Sequence, residues 1–200
     1  NPEAVGNLTA VEGNGTLSLN WTEPTSFGGG TFFQYKIFWK APGQTYQPLS
    51  DAGTAQGTRT ALIGYQASTS YVITGLTNGV SYDVKIITAT VTNNAELQSN
   101  TAEVNQTPST VPDAPASVVA LDNGSTVVIA WQPPTFDGGN PIDQYVVKKG
   151  TATVCTITSV STTSCEVAKP DPGTSNIEVR AGNDAGLSLP AQTTFVVQSV

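Results

Sequence analysis

Two hundred residues with 38% hydrophobic content suffice for two cores of about 100 residues each, the commonest domain size. Eight Lys and Arg against fifteen Asp and Glu leave a net charge of −7, about −3 on the first half and −4 on the second, a surface that repels polyphosphate and excludes nucleic acid as a partner. No apolar run approaches the ~18 residues that cross a bilayer, so no membrane insertion is expected, and a chain without methionine that begins Asn1-Pro2-Glu3 is expected to be processed or excised from a longer protein.

In chain order, Leu17, Leu19 and Trp21 alternate with Ser18 and Asn20, which predicts a strand with one apolar face. Phe33, Tyr35, Ile37 and Trp39 do the same against Gln34, Lys36 and Phe38. Tyr71-Ile73 and Tyr82-Val84-Ile86 follow, and in the second half Val127-Ile129-Trp131, Tyr145-Val147, Val154-Thr156 and Ile177-Val179-Ala181. Between them stand Asn14-Gly15, Gly28-Gly29-Gly30, Asn78-Gly79, Asn123-Gly124, Gly138-Gly139 and Pro172-Gly173, which supply the positive φ angles of tight turns. No stretch offers a capped amphipathic helix, so the chain reads as all-β, each half about seven short strands in a sandwich.

The two halves are copies. Leu17-Ser18-Leu19-Asn20-Trp21 with Pro24 lines up without gaps on Val127-Val128-Ile129-Ala130-Trp131 with Pro134, 110 residues later. The same offset carries Leu8 onto Val118, Tyr35 onto Tyr145 and Ile37 onto Val147. Domains are therefore expected at 1–107 and 116–200. The Pro-rich linker between them, 108–115, favours an extended, semi-rigid connection that sets the sandwiches end to end.

A search for catalytic residues finds none. Histidine is absent, which removes the commonest general base and any Ser-His or Cys-His arrangement. Glu12, Glu23, Asp51, Asp122, Asp137, Asp143 and Asp171 are scattered along loops and read as solubilising groups rather than a paired-carboxylate site. A calcium site would have to draw on Asp113, Asp137 and Asp143, but the alternating Asp/Asn pattern of calcium loops is missing. Phe27-Gly28-Gly29-Gly30 is followed by a strand, so no helix N-terminus stands ready for phosphate. No cofactor is expected. The two cysteines, Cys155 and Cys165, have three readings: a disulfide, a metal pair or free buried thiols. With no histidine and no further soft ligand the metal pair is disfavoured. The disulfide is the preferred reading; it would place the protein in an oxidising compartment, secreted or at the cell surface.

Taken together, these residues resemble the fibronectin type III family, an immunoglobulin-like seven-stranded sandwich. The pattern is a Trp in the second strand (Trp21, Trp131), a Pro after it (Pro24, Pro134) and a Tyr in the third (Tyr35, Tyr145). Leu76-Thr77-Asn78-Gly79-Val80-Ser81-Tyr82 is similar to that family's tyrosine corner, which implies a hydrogen bond from the Tyr82 phenol to upstream backbone. Ala181 to Ser188 is similar to the usual end of the sixth strand; counted back from Ala181, the corner position holds Ser175, so the phenol is missing there. The family's layout places Cys155 and Cys165 near the C′ and E strands. Low Lys, abundant Thr and the short-range cysteine pair resemble repeats of prokaryotic secreted and surface proteins. No Arg-Gly-Asp is present, so the family's integrin motif does not carry over.

The halves differ between the third-strand Tyr and the end of the sixth strand, where the first is about seventeen residues longer. The surplus forms an insertion around 40–70 that mixes aromatics, small polar residues and one Arg, the usual contact chemistry of inserted loops. Tyr46, Arg59 and Tyr65 are the candidate partner contacts there, with Phe27 and Phe32 at the end of the sandwich beside a longer Asn93–Gln98 loop. Thr58 to Tyr65 also alternates as an edge strand would, and both readings stand. Five glycosylation sequons begin at Asn7, Asn14, Asn20, Asn105 and Asn123. The expected function is a non-catalytic extracellular structural or protein-interaction role: a surface-layer, appendage or stalk subunit that contacts protein partners, copies of itself included. The alternatives are a spacer of a secreted polysaccharide-degrading enzyme and an adhesin or receptor ectodomain binding through 40–70; carbohydrate is a further candidate ligand.

Overall fold

The computed structural model of the chain describes residues 1–46, 58–63 and 69–198, the stretch 58–63 by its backbone. These fall into two units, Asn1–Pro108 and Ser109–Val200, and every regular element among them is a strand. In the first unit β1 (Gly6–Gly13), β2 (Thr16–Thr22) and β5 (Ser70–Ile73) form one antiparallel sheet in the order β1-β2-β5. The facing sheet takes β4 (Thr58–Ile63), β3 (Thr31–Lys40) and β6 (Tyr82–Thr92) in that order, with β7 (Ala95–Gln98) and β8 (Ala102–Gln106) both paired to β6. The alternation of β2, β3 and β6 turns Leu17, Leu19, Trp21, Tyr35, Ile37, Trp39, Val84 and Ile86 into a common core. Trp21, 4% exposed, meets the ring of Tyr35 edge-on at 5.3 Å.

The second unit repeats this plan. One sheet is β13 (Ser164–Ala168), β10 (Thr126–Gln132) and β9 (Ala116–Asp122). The other is β12 (Ala152–Ile157), β11 (Gln144–Lys149) and β14 (Gly173–Asn183), with β15 (Gly186–Leu187) and β16 (Ala191–Val197) both on β14. Its core gathers Val127, Ile129, Trp131, Tyr145, Val147, Ile177, Val179 and Ala181 around an indole 2% exposed. Hydrogen bonds recur between the units: Glu3 N donates to Ser26 O as, 110 residues on, Asp113 N does to Phe136 O, and Leu76 N donates to Gly15 O as Lys169 N does to Ser125 O. Of the Pro-rich stretch 108–115, Pro108 accepts a hydrogen bond from Gly79 N in the first unit. Thr110 N and Asp113 N donate to Gly138 O and Phe136 O in the second.

Four details depart from the expected pattern. A bulge between Phe32 and Gln34 shifts the register of β3, so Phe32, not Phe33, packs against the core ring of Tyr35, at 4.8 Å, and Phe33 is 44% exposed. Next to a second irregularity, between Val147 and Lys148, Val154 and Cys155 both pack on the core, and Ile157, opposite Tyr145, does so in place of Thr156. Lys36 and Phe38, on the face of β3 expected to be solvated, are only 5% and 6% exposed. Finally, each unit has eight strand segments among the described residues rather than about seven, because the last strand is interrupted. At the interruption Ser99 donates its N–H to Thr88 O and accepts Thr88 N–H on its hydroxyl; Ser188 does the same with Ala181. A serine at that point satisfies both backbone groups that the broken ladder would leave open.

The tyrosine corner is present in the first unit: Thr77 N donates to the Tyr82 hydroxyl at 3.1 Å. Ser175, at the matching register of the second unit, lies opposite Phe195. Tyr82→Phe removes one hydrogen bond at an exposed turn where water replaces the acceptor, so the expected loss is about 1 kcal/mol for the first unit. The check is a urea titration, in which the midpoint falls while the slope stays constant.

Candidate functional site

The insertion announces itself first at Tyr46, which lies back on the outer face of the β3–β6 sheet. Its ring meets that of Phe38 edge-on at 6.4 Å, and the ammonium groups of Lys85 and Lys40 stand 4.0 and 5.2 Å from its centroid. Lys85 also lies 5.1 Å from the Phe38 ring, so the two lysines and two aromatics form one stack of cation–π contacts. Beside it runs an open groove of about 390 Å³ lined by Lys40, Tyr46, Asp83, Glu103 and Asn105. Asp83 accepts from Asn105 Nδ2 at 2.7 Å and pairs with Lys40 at 3.2 Å; these partners, Asn105 first, hold its carboxyl below the usual range. On the same face Lys36 pairs with Glu96, which lowers the Glu96 carboxyl likewise.

Burial, reinforced by Asp83 and Glu103, pushes the Tyr46 phenol up to about 12. In the unfolded chain the phenol ionises near 10. The raised folded value therefore stabilises the native state fully below pH 10, and that contribution is lost as pH rises from 10 through 12. The first unit is expected to lose stability across this window and Tyr46→Phe to lessen the loss, as read by thermal melts at successive pH values.

Other candidates take different places. Phe27 and Phe32 form a tilted pair at 5.7 Å that continues through Tyr35 to Trp21, a ladder of rings running from the β2–β3 loop into the core. The Asn93–Gln98 stretch is a tight hairpin: Asn93 and Asn94 take φ of 49° and 63°, and Ala95–Gln98 pairs back on β6 as β7. Arg59 lies on β4 opposite Trp39 of β3, so Thr58–Ile63 is an edge strand. Tyr65 and Asp51 lie outside the described residues.

Cys155 on β12 and Cys165 on β13 are joined by a disulfide, with Cα atoms 6.6 Å apart. Because β12 and β13 belong to different sheets, the bridge ties the two layers of the second unit at one edge. All five sequon asparagines are exposed. Asn7, Asn105 and Asn123 donate their amides to Thr22, to Asp83 and to Glu166 respectively, and Asn14 accepts from Asn78 Nδ2. That last contact belongs to a clasp not foreseen from sequence, because Asn78 in turn accepts Gly15 N–H and so links two Asn-Gly turns 64 residues apart. Among the described residues no three His, Cys, Asp or Glu side chains gather as a metal site. Asp137 is taken by its own turn, accepting Gly139 N–H at 2.9 Å.

The fibronectin type III domain model matches twice, at residues 3–105 and 113–197. The chain belongs to the fibronectin type III family. Among curated proteins this fibronectin type III pair is similar to a Kelch domain-containing protein of Saccharolobus solfataricus, 31% identical over 130 residues that make up 64% of this chain and 18% of the relative. It is also similar to fibronectin type-III domain-containing protein 3A of Mus musculus, 29% identical over 66% of this chain and 10% of the relative. The chain thus spans less than a fifth of the length of these relatives. Among solved structures a two-domain fibronectin type III segment of chicken tenascin is 19% identical, with a TM-score of 0.43 and coverage of 96% of this chain and 99% of that one. Tandem domains of this family are structural or interaction modules, and such domains with a disulfide are typical of extracellular proteins.

Proposed function

We propose that the protein is an extracellular, non-catalytic scaffold that acts by binding other macromolecules, copies of itself among them, as a subunit of a surface layer, appendage or stalk. The observation that supports this is the closure of both sandwiches around their own indoles in a chain without histidine. Among the described residues some carboxylates sit in pairs such as Lys40–Asp83 and Lys169–Asp122, and no three His, Cys, Asp or Glu gather as a metal site. Self-contact would use the first unit, with the half-buried Phe27 of the β2–β3 loop and edge strand β4, which carries Arg59, as the contact candidates. Light scattering after size exclusion, with electron microscopy of native material, tests it: ordered assemblies are expected, and a strict monomer across a wide concentration range would overturn self-assembly.

A second reading is favoured by the small share of the curated relatives that the chain spans, 18% and 10%. In it the pair is a spacer within a larger secreted protein, such as a polysaccharide-degrading enzyme. The sequence of the full precursor decides between the two, since a catalytic domain on the same polypeptide would support the spacer.

A further inference from the structure

The two units solve one packing problem differently. In the second, Asn183 at the end of β14 is 3% exposed and makes four hydrogen bonds. Its Nδ2 donates to the carbonyls of Thr110 and Asp137 at 2.8 Å and of Asn140 at 3.3 Å, and its Oδ1 accepts Ala185 N–H at 2.9 Å. The amide thereby fastens the β10–β11 loop to the end of the strand.

In the first unit the matching register position is Thr90: Ala89 lies opposite Gln34 as Gly182 lies opposite Gln144, and the following residues are Thr90 and Asn183. Thr90 and Thr88 are fully buried. The hydroxyls of Thr88, Thr90 and Thr92, alternate residues on one face of β6, have no hydrogen-bond partner among the described residues. Gly30 of the β2–β3 loop stands beside two of them, since a Cβ there would fall 2.7 Å from Thr92 Oγ1 and 2.9 Å from Thr90 Oγ1. Phe27 and Gly30 correspond by the 110-residue offset to Asp137 and Asn140, whose carbonyls Asn183 holds. A threonine side chain is too short to reach as an amide does. Buried hydroxyls in native proteins are satisfied by protein or by ordered water, and a polar site with several partners is where internal water binds.

We propose that the first unit binds ordered internal water under its β2–β3 loop, in the place the Asn183 amide fills in the second. The ligand is water, held by the hydroxyls of Thr88, Thr90 and Thr92 and relaying Thr90 to the carbonyls of Phe27 and Gly30. The loop that carries Phe27 is thus fastened through solvent in one unit and through a side chain in the other.

The test compares the full chain with Thr90→Asn and Thr90→Val by oxygen-17 magnetic relaxation dispersion, which counts long-lived internal water. Both variants are expected to lose dispersion amplitude, Thr90→Asn with a higher melting temperature because its amide takes over the bonds, Thr90→Val with a lower one. Amplitude unchanged in both variants would overturn the proposal. So would a melting temperature raised by Thr90→Val, the mark of a hydroxyl buried dry. A crystal structure of the unaltered chain at atomic resolution gives a reading independent of the variants: density within hydrogen-bond reach of Thr90 Oγ1 supports the site, and a dry contact there refutes it.

Discussion

Trp131→Ala is expected to cost the second unit about 3–5 kcal/mol, the usual penalty for truncating a buried large aromatic. The indole is 2% exposed and packs on Tyr145 at 5.3 Å, among Val127, Ile129, Val147 and Val179. Removing it leaves a cavity that strands hydrogen-bonded on both sides cannot collapse to fill, since β10 is paired to β9 and to β13. Against a domain stability of ~5–15 kcal/mol the loss is a large fraction of the total. Each unit owns a separate core, so calorimetry should show one transition displaced far downward and the other unmoved. Trp21→Ala should produce the mirror image. If either substitution moves both transitions together, the cores are not separate.

The second large effect belongs to the disulfide. Replacing both Cys155 and Cys165 with serine should destabilise the second unit by about 3 kcal/mol and leave the first unchanged. The bridge closes a loop of sequence separation 10 between β12 and β13, and the chain-entropy gain from so short a loop is modest. Its placement adds to the effect, for Cys165 is 6% exposed and its serine replacement would bury a hydroxyl. Reduction of the unaltered protein, which introduces no new polar group, separates the two contributions. A melting temperature for the second unit that is insensitive to reductant would contradict this assignment.

What was legible in the sequence were features that repeat and features tied to one residue's stereochemistry. Trp21 and Trp131, Tyr35 and Tyr145, and the Tyr82 corner sit where their spacing put them, because period-two burial and a shared offset leave little freedom. Features that depend on a single inserted residue were not legible. The bulge at Phe33 exchanges the inward ring for Phe32 while leaving the composition of the strand unaltered, and the break at Ser99 shows only as one more polar residue near an edge.

The candidate contacts divide along the same line. Tyr46 is covered because Lys85, 39 residues further along, reaches its ring, a pairing no local pattern encodes. Lys36 and Phe38 are buried on a face that alternation assigns to solvent. The buried amide of Asn183 stands in the sequence only as one residue of the Ala181–Ser188 strand end, and its match to Thr90 emerges only from the strand register.

The most direct test of two sandwiches, each closed on its own tryptophan, is acrylamide quenching of the native protein's fluorescence. All three tryptophans, Trp21, Trp39 and Trp131, are at most 6% exposed, so emission should be blue-shifted and quenching weak throughout, becoming efficient only on unfolding. A fraction of the native emission quenched as readily as free tryptophan would mean that at least one indole faces solvent, and the closed-core fold proposed for that unit would be wrong.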